Sequence, residues 1–349
     1  MTGSILPGFL DAHVHLALID PAALAAGGIS RVLDLGGWTP APGASPAASP
    51  RLSVPVEIDR RADQSRPERT ISAGGAGAGG AGAGGPAEAA FAGQFLTAPG
   101  GYPGRQAWAP EGSVCEVPTA ADAAAAVERQ LAAGASVIKV TLNAAAGPVL
   151  DGDVLAAIVA HAHGRGTPVV AHAEGVGQAL RAFIAGVDVL AHTPFSERLV
   201  DGLVDAMAAR MTWISTLDIH GWGQENDDFA RASDNLRRFH AHGGRVLYGT
   251  DLGNGPLPAG LNRREIEALL RVGLSPDDVL GALTSALPRA GGTGGNGRNG
   301  RNGRPAADTA AGQDRVSVVP GERPADPAGF AEWLCGARSA SRSELKEYA

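Results

Sequence analysis

The chain has 349 residues, 44% of them hydrophobic, with 29 Lys+Arg against 36 Asp+Glu and a formal net charge of -7. That length and apolar content allow one large domain with a sizeable core, and a barrel of about 250 residues with insertions fits inside it. The mild acidity excludes the basic surface that nucleic acid or an anionic membrane would need, so the expected partner is a small-molecule substrate, with homo-oligomerisation left open. No apolar run is long enough to span a bilayer, and Met1–Pro7 lacks the basic start and long apolar run of a secretory signal, so a cytoplasmic location is expected. Cys115 and Cys335 lie far apart without metal-type spacing and read as free thiols.

Taken in chain order, short apolar runs predict strands at Ile5–Val14, Arg31–Gly36, Phe91–Ala98, Ser136–Leu142, Pro168–Ala173, Val187–His192, Thr212–Leu217 and Val246–Thr250. Ala- and Leu-rich stretches between them predict helices at Ala120–Ala133, Val154–His163, Val176–Ala185, Glu197–Ala209 and Asp227–His242, with Leu261–Val272 and Pro276–Leu287 after the last strand. Strand–helix alternation repeated to eight strands predicts an α/β protein of the (β/α)8 TIM-barrel class rather than an open sheet. Low-complexity sequence predicts loop insertions near 39–50 and 72–86 within a barrel domain of residues 1–290. A flexible Gly/Asn/Arg linker is expected over 291–314, since the aromatic residues of an RNA-binding tail are missing there. Residues 315–349 read as a small C-terminal appendage with a strand at Arg315–Val319 and a helix at Asp326–Cys335.

Metal-ligand residue types stand at the ends of these strands. His13 and His15 close the first strand, and residues two apart on a strand share a side, so both can grip one ion. The fourth strand carries Lys139, the fifth His172, the sixth His192, and Asp251 follows the eighth. Barrel active sites collect at C-terminal strand ends, so these side chains are expected to converge. Neutral imidazole and carboxylate suit zinc and related divalent ions. A lysine can join them only after its amine has reacted with carbon dioxide to give an anionic carbamate, which can bridge two ions. The plain alternative is a lysine that snorkels or pairs with Asp251. His161 and His163 have the same spacing on a predicted helix, where residues two apart diverge, and read as structural or surface groups, as do His240 and His242. Thr216, Asp218 and His220 follow the seventh strand at the same mouth, where His220 reads equally as a substrate contact and as a satisfied loop histidine. Tyr102, in a Gly-Pro turn, and Asn254 are candidate pocket residues. Trp213 and Trp222 read as packing. Gly74–Gly85 is no phosphate cradle, because no strand leads into it and no Lys-Ser/Thr follows.

Pro7-Gly8-Phe9-Leu10-Asp11-Ala12-His13-Val14-His15 resembles the opening motif of the amidohydrolase superfamily. Val137-Ile138-Lys139-Val140 resembles its carbamylated-lysine strand, Ala171-His172-Ala173 its fifth strand, Leu190-Ala191-His192 its sixth and Tyr248-Gly249-Thr250-Asp251 its eighth. The likeness runs over Ile5–Arg289 and is greatest to the imidazolonepropionase-like and prolidase-like branch. It implies one or two divalent ions, zinc foremost, as cofactor. His13, His15 and Asp251 would hold the first ion, His172 and His192 the second, with carbamylated Lys139 between them. Asp251 would also take the proton from the attacking hydroxide and pass it to the leaving group, with His220 as a further catalytic candidate at the mouth. The implied reaction is metal-dependent hydrolysis of an amide or cyclic amide C–N bond in a small molecule or dipeptide. A lactonase or deaminase on the same centre, or a degenerate barrel without turnover, are the alternatives. Two departures stand out: the family's small β-sandwich is expected to be absent or vestigial, and Thr284-Ser285-Ala286-Leu287-Pro288 replaces the family's late Asn-Pro-Ala turn.

Overall fold

Short apolar segments with β-branched residues settle as parallel strands when both faces are covered. The computed structural model describes residues 3–39, 87–287, 290–291 and 315–345. The insertions expected near 39–50 and 72–86 and the linker over 291–314 therefore fall outside the described residues, apart from their edges at Thr39 and Gly291.

The strands, in chain order, are β1 (Gly3–Pro7), β2 (Phe9–Val14), β3 (Ile29–Asp34), β4 (Glu88–Phe91), β5 (Phe95–Thr97), β6 (Val114–Glu116) and β7 (Ile138–Asn143). They continue with β8 (Val169–Glu174), β9 (Val189–Leu190), β10 (Thr212–Ile214), β11 (Arg245–Leu247), β12 (Arg315–Pro320) and β13 (Arg338–Ser341). A seven-stranded parallel sheet runs in the order β11-β10-β9-β8-β7-β5-β6, and a second parallel sheet runs β2-β3-β4. Helices connect successive strands, among them Gly152–Gly164 between β7 and β8 and Asp227–Ala241 between β10 and β11.

Backbone hydrogen bonds join the two parallel sheets at two places. Ser136 N–H donates to Phe91 O at 2.9 Å, beside β4 and β7. On the other side Ala12 N–H donates to Tyr248 O at 2.9 Å, Asp251 N–H to His13 O at 2.8 Å and His15 N–H to Leu252 O at 2.8 Å. The arrangement is α/β and compatible with a barrel. Gly249 makes the second junction possible, because a Cβ there would sit 2.3 Å from Ile214 and 3.2 Å from His13.

Alternation within the strands sorts the core into two layers. Leu10, Ala12, Leu33, Val137, Val170, Val189, Ala191, Ile214 and Leu247, from β2, β3 and β7–β11 or their flanks, form one buried cluster. Phe9, Val140, Ala171, Leu190, Trp213 and Tyr248 face the other way into the larger cluster with the helices. Trp213 lies flat on Phe239 of the Asp227–Ala241 helix, 3.8 Å between centroids, as the packing role expected for it requires.

Two expected strands are each divided in two. Ile5–Val14 divides at Gly8, where a Cβ would meet Ser30 at 2.8 Å and Arg315 O at 2.9 Å. β1 then leaves the parallel sheets and pairs antiparallel with β12, which pairs with β13. Segments from both ends of the described chain thus meet in a small three-stranded sheet. Buried Ser317 pins it: its Oγ accepts from Phe9 N–H at 2.9 Å and donates to Gly28 O at 3.1 Å. Phe91–Ala98 divides into β4 and β5, because β4 pairs with β3 while β5 turns to pair with β6 and β7. The helix Pro327–Cys335 packs against Arg263–Arg271 and buries Phe330 and Leu334 in the larger core. Cys115 and Cys335 are free thiols. No helix among the described residues is long and apolar enough to cross a membrane.

Candidate metal centre

Inward parity delivers part of the site, while His13, His15 and His192 stand one residue out of step with inner-cluster Ala12 and Ala191, at the strand ends where the regular ladder stops. Along β7, Val137 sits in the inner cluster and Lys139 and Thr141 follow it two and four residues on, lining a cavity. Val170 likewise precedes His172, and Leu247 lies four residues before Asp251. The cavity is lined by His13, His15, Lys139, His172, His192 and Asp251 together, so all six expected ligands share one site. Phe95, Tyr102, Trp108, Thr141 and Asn254 complete the lining. His220 is buried on the short helical turn Leu217–His220, with its ring 4.3 Å from that of Phe195, and is not part of this lining.

Hydrogen bonds fix which imidazole nitrogen faces inward. His13 Nδ1 lies 2.9 Å from Ala191 O and His15 Nδ1 lies 3.0 Å from Gly36 O. A carbonyl only accepts, so each Nδ1 carries the proton and each Nε2 presents a lone pair. Those lone pairs lie 3.0 Å and 3.1 Å from the same oxygen, Asp251 Oδ1. That oxygen is buried and has no hydrogen bond. Three acceptors facing one another at such distances repel unless a cation lies among them. The three ligand atoms all fall within 4.8 Å of one another, a spread that one divalent ion can span.

The electrostatics carry the same message. Burial, together with the neighbouring Lys139 and His15 charges, pushes His13 well below the ordinary histidine value, so it stays neutral and able to ligate. Burial also pulls His15 down, yet the adjoining Asp251 carboxylate lifts it above its usual value. Burial opposes ionisation of Asp251, but the surrounding histidines outweigh it and hold the carboxyl well below the usual carboxylate range. The cluster therefore recruits positive charge. Burial lowers His192 well below the ordinary value, and its Nδ1 lies 2.9 Å from Thr216 Oγ1, which leaves Nε2 for a ligand. Thr216 holds that position at φ 41°, a strained conformation for a β-branched residue. His172 Nε2 lies 3.1 Å from Glu174 Oε2, which leaves Nδ1 as the nitrogen that could take a ligand. The rings of His172 and His192 are 4.9 Å apart and those of His13 and His192 4.7 Å. Lys139 is 2% exposed, and burial lowers its amine to about 7 despite the carboxylates of Asp251 and Asp34.

Several supporting residues had no role assigned from sequence. Asp11 accepts from Thr250 Oγ1 at 2.5 Å and from Thr250 N–H and His13 N–H, each at 3.1 Å, tying the strand of His13 to the segment of Asp251. Its burial raises its carboxyl to about 7. Asp34 accepts from Leu16 N–H at 2.6 Å and Gly36 N–H at 3.0 Å, holding both the chain beyond His15 and the carbonyl that His15 uses. Asp34 closes β3 and Glu174 closes β8 two residues beyond His172, so the strand-end rule that found the ligands also reaches them. Trp108 lies in a loop without regular pattern and carried no such signal. Asn254 Nδ2 donates to Asp251 Oδ2 at 2.8 Å, in line with the pocket role expected for it. The helical pairs diverge as spacing predicts: His161 meets Glu128 at 2.8 Å, His163 meets Asp188 at 2.8 Å, and His242 meets Asp205 at 3.1 Å.

No family model matches the chain, and no curated protein matches it. Solved structures do. An amidohydrolase matches with a TM-score of 0.61 at 20% identity, over 95% of this chain and 82% of that one. The ochratoxinase of A. niger matches with a TM-score of 0.61 at 16% identity, over 95% of this chain and 80% of that one. A Xaa-Pro dipeptidase solved with methionine in its active site matches with a TM-score of 0.59 at 17% identity, over 96% and 84%. The likeness to the amidohydrolase superfamily that is legible in the motifs therefore holds for the fold: this chain has the fold of these hydrolases.

Proposed function

We propose that the protein is a metal-dependent hydrolase that cleaves an amide or cyclic amide C–N bond in a small molecule, on a (β/α)8 barrel. The observation that carries the reading is the meeting of His13 Nε2, His15 Nε2 and a hydrogen-bond-free Asp251 Oδ1 in one buried cluster. What supports the barrel is the inner cluster drawn from strands all round the molecule and the backbone hydrogen bonds that join β2 to the segment after β11. The hydrolase names of the structural neighbours point the same way.

His13, His15 and Asp251 would hold one cation, and His172 and His192 a second. A divalent cation there, zinc by its ligand types, supplies Lewis acidity toward a carbonyl oxygen and lowers the pKa of a water toward neutrality. Lys139 is suited to bridge the two positions as a carbamate. Its amine, lowered to about 7 by burial, is substantially unprotonated at neutral pH. It can attack carbon dioxide, forming an N–C bond and releasing one proton, which yields the anionic oxygens a cation pair requires. Asp251 is kept ionised by its neighbours and oriented by Asn254, so it can accept a proton from the attacking water and return it to the departing nitrogen.

The test joins elemental analysis of the purified protein to hydrolysis of a panel of amides, cyclic amides, esters and amino-heterocycles. One or two equivalents of metal and turnover of amides are expected, with turnover reduced by at least tenfold and about one equivalent of metal lost in His13→Ala and Asp251→Ala. Wild-type protein that carries no metal after supplementation with zinc, or a metal-loaded protein that turns over only esters or amino-heterocycles, would remove the reading.

A further inference from the structure

Past Leu190 and Trp213 the ladder between β9 and β10 stops, and side chains continue it. Thr193 Oγ1 donates to Ser215 O at 2.9 Å, and one residue further on Thr216 Oγ1 lies 2.9 Å from His192 Nδ1. From the other side the backbone is pinned to β11 and the segment after it: Ser215 N–H donates to Leu247 O at 2.9 Å and Thr216 N–H to Gly249 O at 3.2 Å. Thr216 is thus held on both sides, fully buried, behind the ring of His192 and outside the cavity lining.

It occupies that place at a backbone cost. Its φ is 41°, in the left-handed region where a β-branched side chain is crowded. Among the described residues, Thr216, Trp222 and Asp251 are the non-glycine residues with a positive φ, and Asp251 is itself a candidate ligand. Strain of this kind persists where surrounding bonds over-determine it, and it gathers at functional sites. What threonine brings to the position is a hydroxyl whose hydrogen-bond partner is the His192 ring.

The four histidines of the cavity differ in what meets the nitrogen that is not left for a ligand. Carbonyls meet His13 and His15, the Glu174 carboxylate meets His172, and a hydroxyl meets His192. A carbonyl or carboxylate only accepts, so it fixes the proton on the outer nitrogen. A hydroxyl can also donate. Its proton given to Nδ1 would leave the ring proton on Nε2, where no cation could be held. The direction of this one contact therefore decides whether His192 can ligate, and a cation on Nε2 selects the direction in which Thr216 accepts.

We infer that Thr216 is a positioning residue for the second cation position: its hydroxyl accepts the His192 Nδ1 proton and so turns the Nε2 lone pair toward the cavity. The inference rests on the two-cation form of the hydrolase reading and deepens it with a residue that touches neither cation nor substrate. The first position does not depend on this hydroxyl, since Ala191 O and Gly36 O hold His13 and His15.

The experiment titrates chelator-treated protein with zinc in a calorimeter, with bicarbonate present, and records the urea midpoint of the metal-free protein. Thr216→Val keeps the branched shape and removes the hydroxyl, whereas Thr216→Ser keeps the hydroxyl. Wild type should take up two equivalents in two steps. In Thr216→Val one step should weaken by about tenfold or more while the other stays within about threefold, because outer partners of metal-bound histidines are worth about 10–100-fold in affinity. Thr216→Ser should bring the weakened step back to within about threefold of wild type. Thr216→Ala, which sheds the branch, should show the same selective loss and serves if the valine variant does not fold. A residue that only packs would lower the urea midpoint and leave both zinc affinities unchanged. That result, equal weakening of both steps, or a loss that serine does not repair would each overturn the inference. A wild type that binds a single equivalent sinks the role of Thr216 and leaves the hydrolase reading standing, whereas one that binds none removes that reading as well.

Discussion

Glu265 shows how a single buried carboxyl ties the site's surroundings to pH. It sits in the first turn of the helix Arg263–Arg271 and is fully buried. Its Oε2 accepts the Asp218 N–H at 2.7 Å, beneath the turn that carries His220. Burial is the main reason its carboxyl is raised from 4.5 to about 7, against hydrogen bonds from Ser215, Asp218 and Leu217 that pull it down. The folded state therefore holds this proton more tightly than the unfolded chain. The stability that goes with it is complete below pH 4.5 and is lost as pH rises through about 7. Glu265→Gln keeps an acceptor for Asp218 and removes the ionisation. Its urea midpoint should match that of the wild type near pH 4.5 and exceed it at pH 8, by an amount on the order of 1–3 kcal/mol. A difference that is the same at both pH values, or larger at the acidic one, would contradict the assignment. Other groups were legible in the sequence for a related reason. His13, His15, Lys139, His172, His192 and Asp251 stand on strands or just past their ends, which is what marks them, although a period of two accounts only for part of the set: Lys139 and His172 follow the inner cluster in step, while His13, His15 and His192 do not. Glu265 escaped that logic because its role depends on a helix meeting a turn far away in sequence.

At the level of elements, the seven parallel strands follow from short apolar runs separated by Ala- and Leu-rich helical stretches. The capping box of Ser275 and Asp278 around Pro276 is a local instruction for the helix that follows, with Ser275 Oγ accepting the Asp278 N–H at 3.2 Å. The division of Ile5–Val14 falls at Pro7-Gly8, a dipeptide that punctuates strands, but nothing near it in sequence names the sheet that β1 joins. The change is set by partners beyond residue 314: β12 captures β1, and Ser317 reaches across to Phe9 and Gly28. Ser317 also lies 3.3 Å from Ser30, which in turn bonds Ser339 at 2.9 Å, so one buried hydroxyl network links β3, β12 and β13. Ser317→Val replaces the hydroxyl with a methyl and adds a second, leaving the Phe9 N–H and Gly28 O without partners. A loss of about 2–4 kcal/mol is expected, since each buried orphan costs about 1–3 kcal/mol. Ser317→Thr, which keeps the hydroxyl, should recover part of it. Chemical denaturation of the two variants side by side checks this, and a valine variant as stable as the wild type would show that the small sheet does not depend on the network.

Across the whole molecule, the candidate metal centre lies on a seam. β2 and the segment after β11 share one isolated bridge, Val14 with Leu252, rather than a continuous ladder. The Asp11–Thr250 hydrogen bonds reinforce that junction, and the ligand atoms of His13, His15 and Asp251 face one another across it. A cation there would therefore be a cross-link between the first and last strands of the parallel arrangement as well as a reagent. The unfolded chain has no such cluster, so binding free energy appears as folding stability. At a free metal concentration of one hundred times Kd the gain is about 2.7 kcal/mol. Adding zinc to chelator-treated protein should raise the urea midpoint by a corresponding amount, and the shift should grow with the logarithm of free metal. Asp251→Asn changes one ligand while leaving its backbone bond to His13 in place, so the variant should fold but show at most a small zinc-dependent shift. Each protein is measured against itself with and without metal, so a difference in baseline stability between wild type and variant drops out of the comparison. If the wild-type midpoint does not move with zinc, or moves equally in Asp251→Asn, the ion does not bind across the seam and the three acceptors must be reconciled by protons on His15 and its neighbours instead.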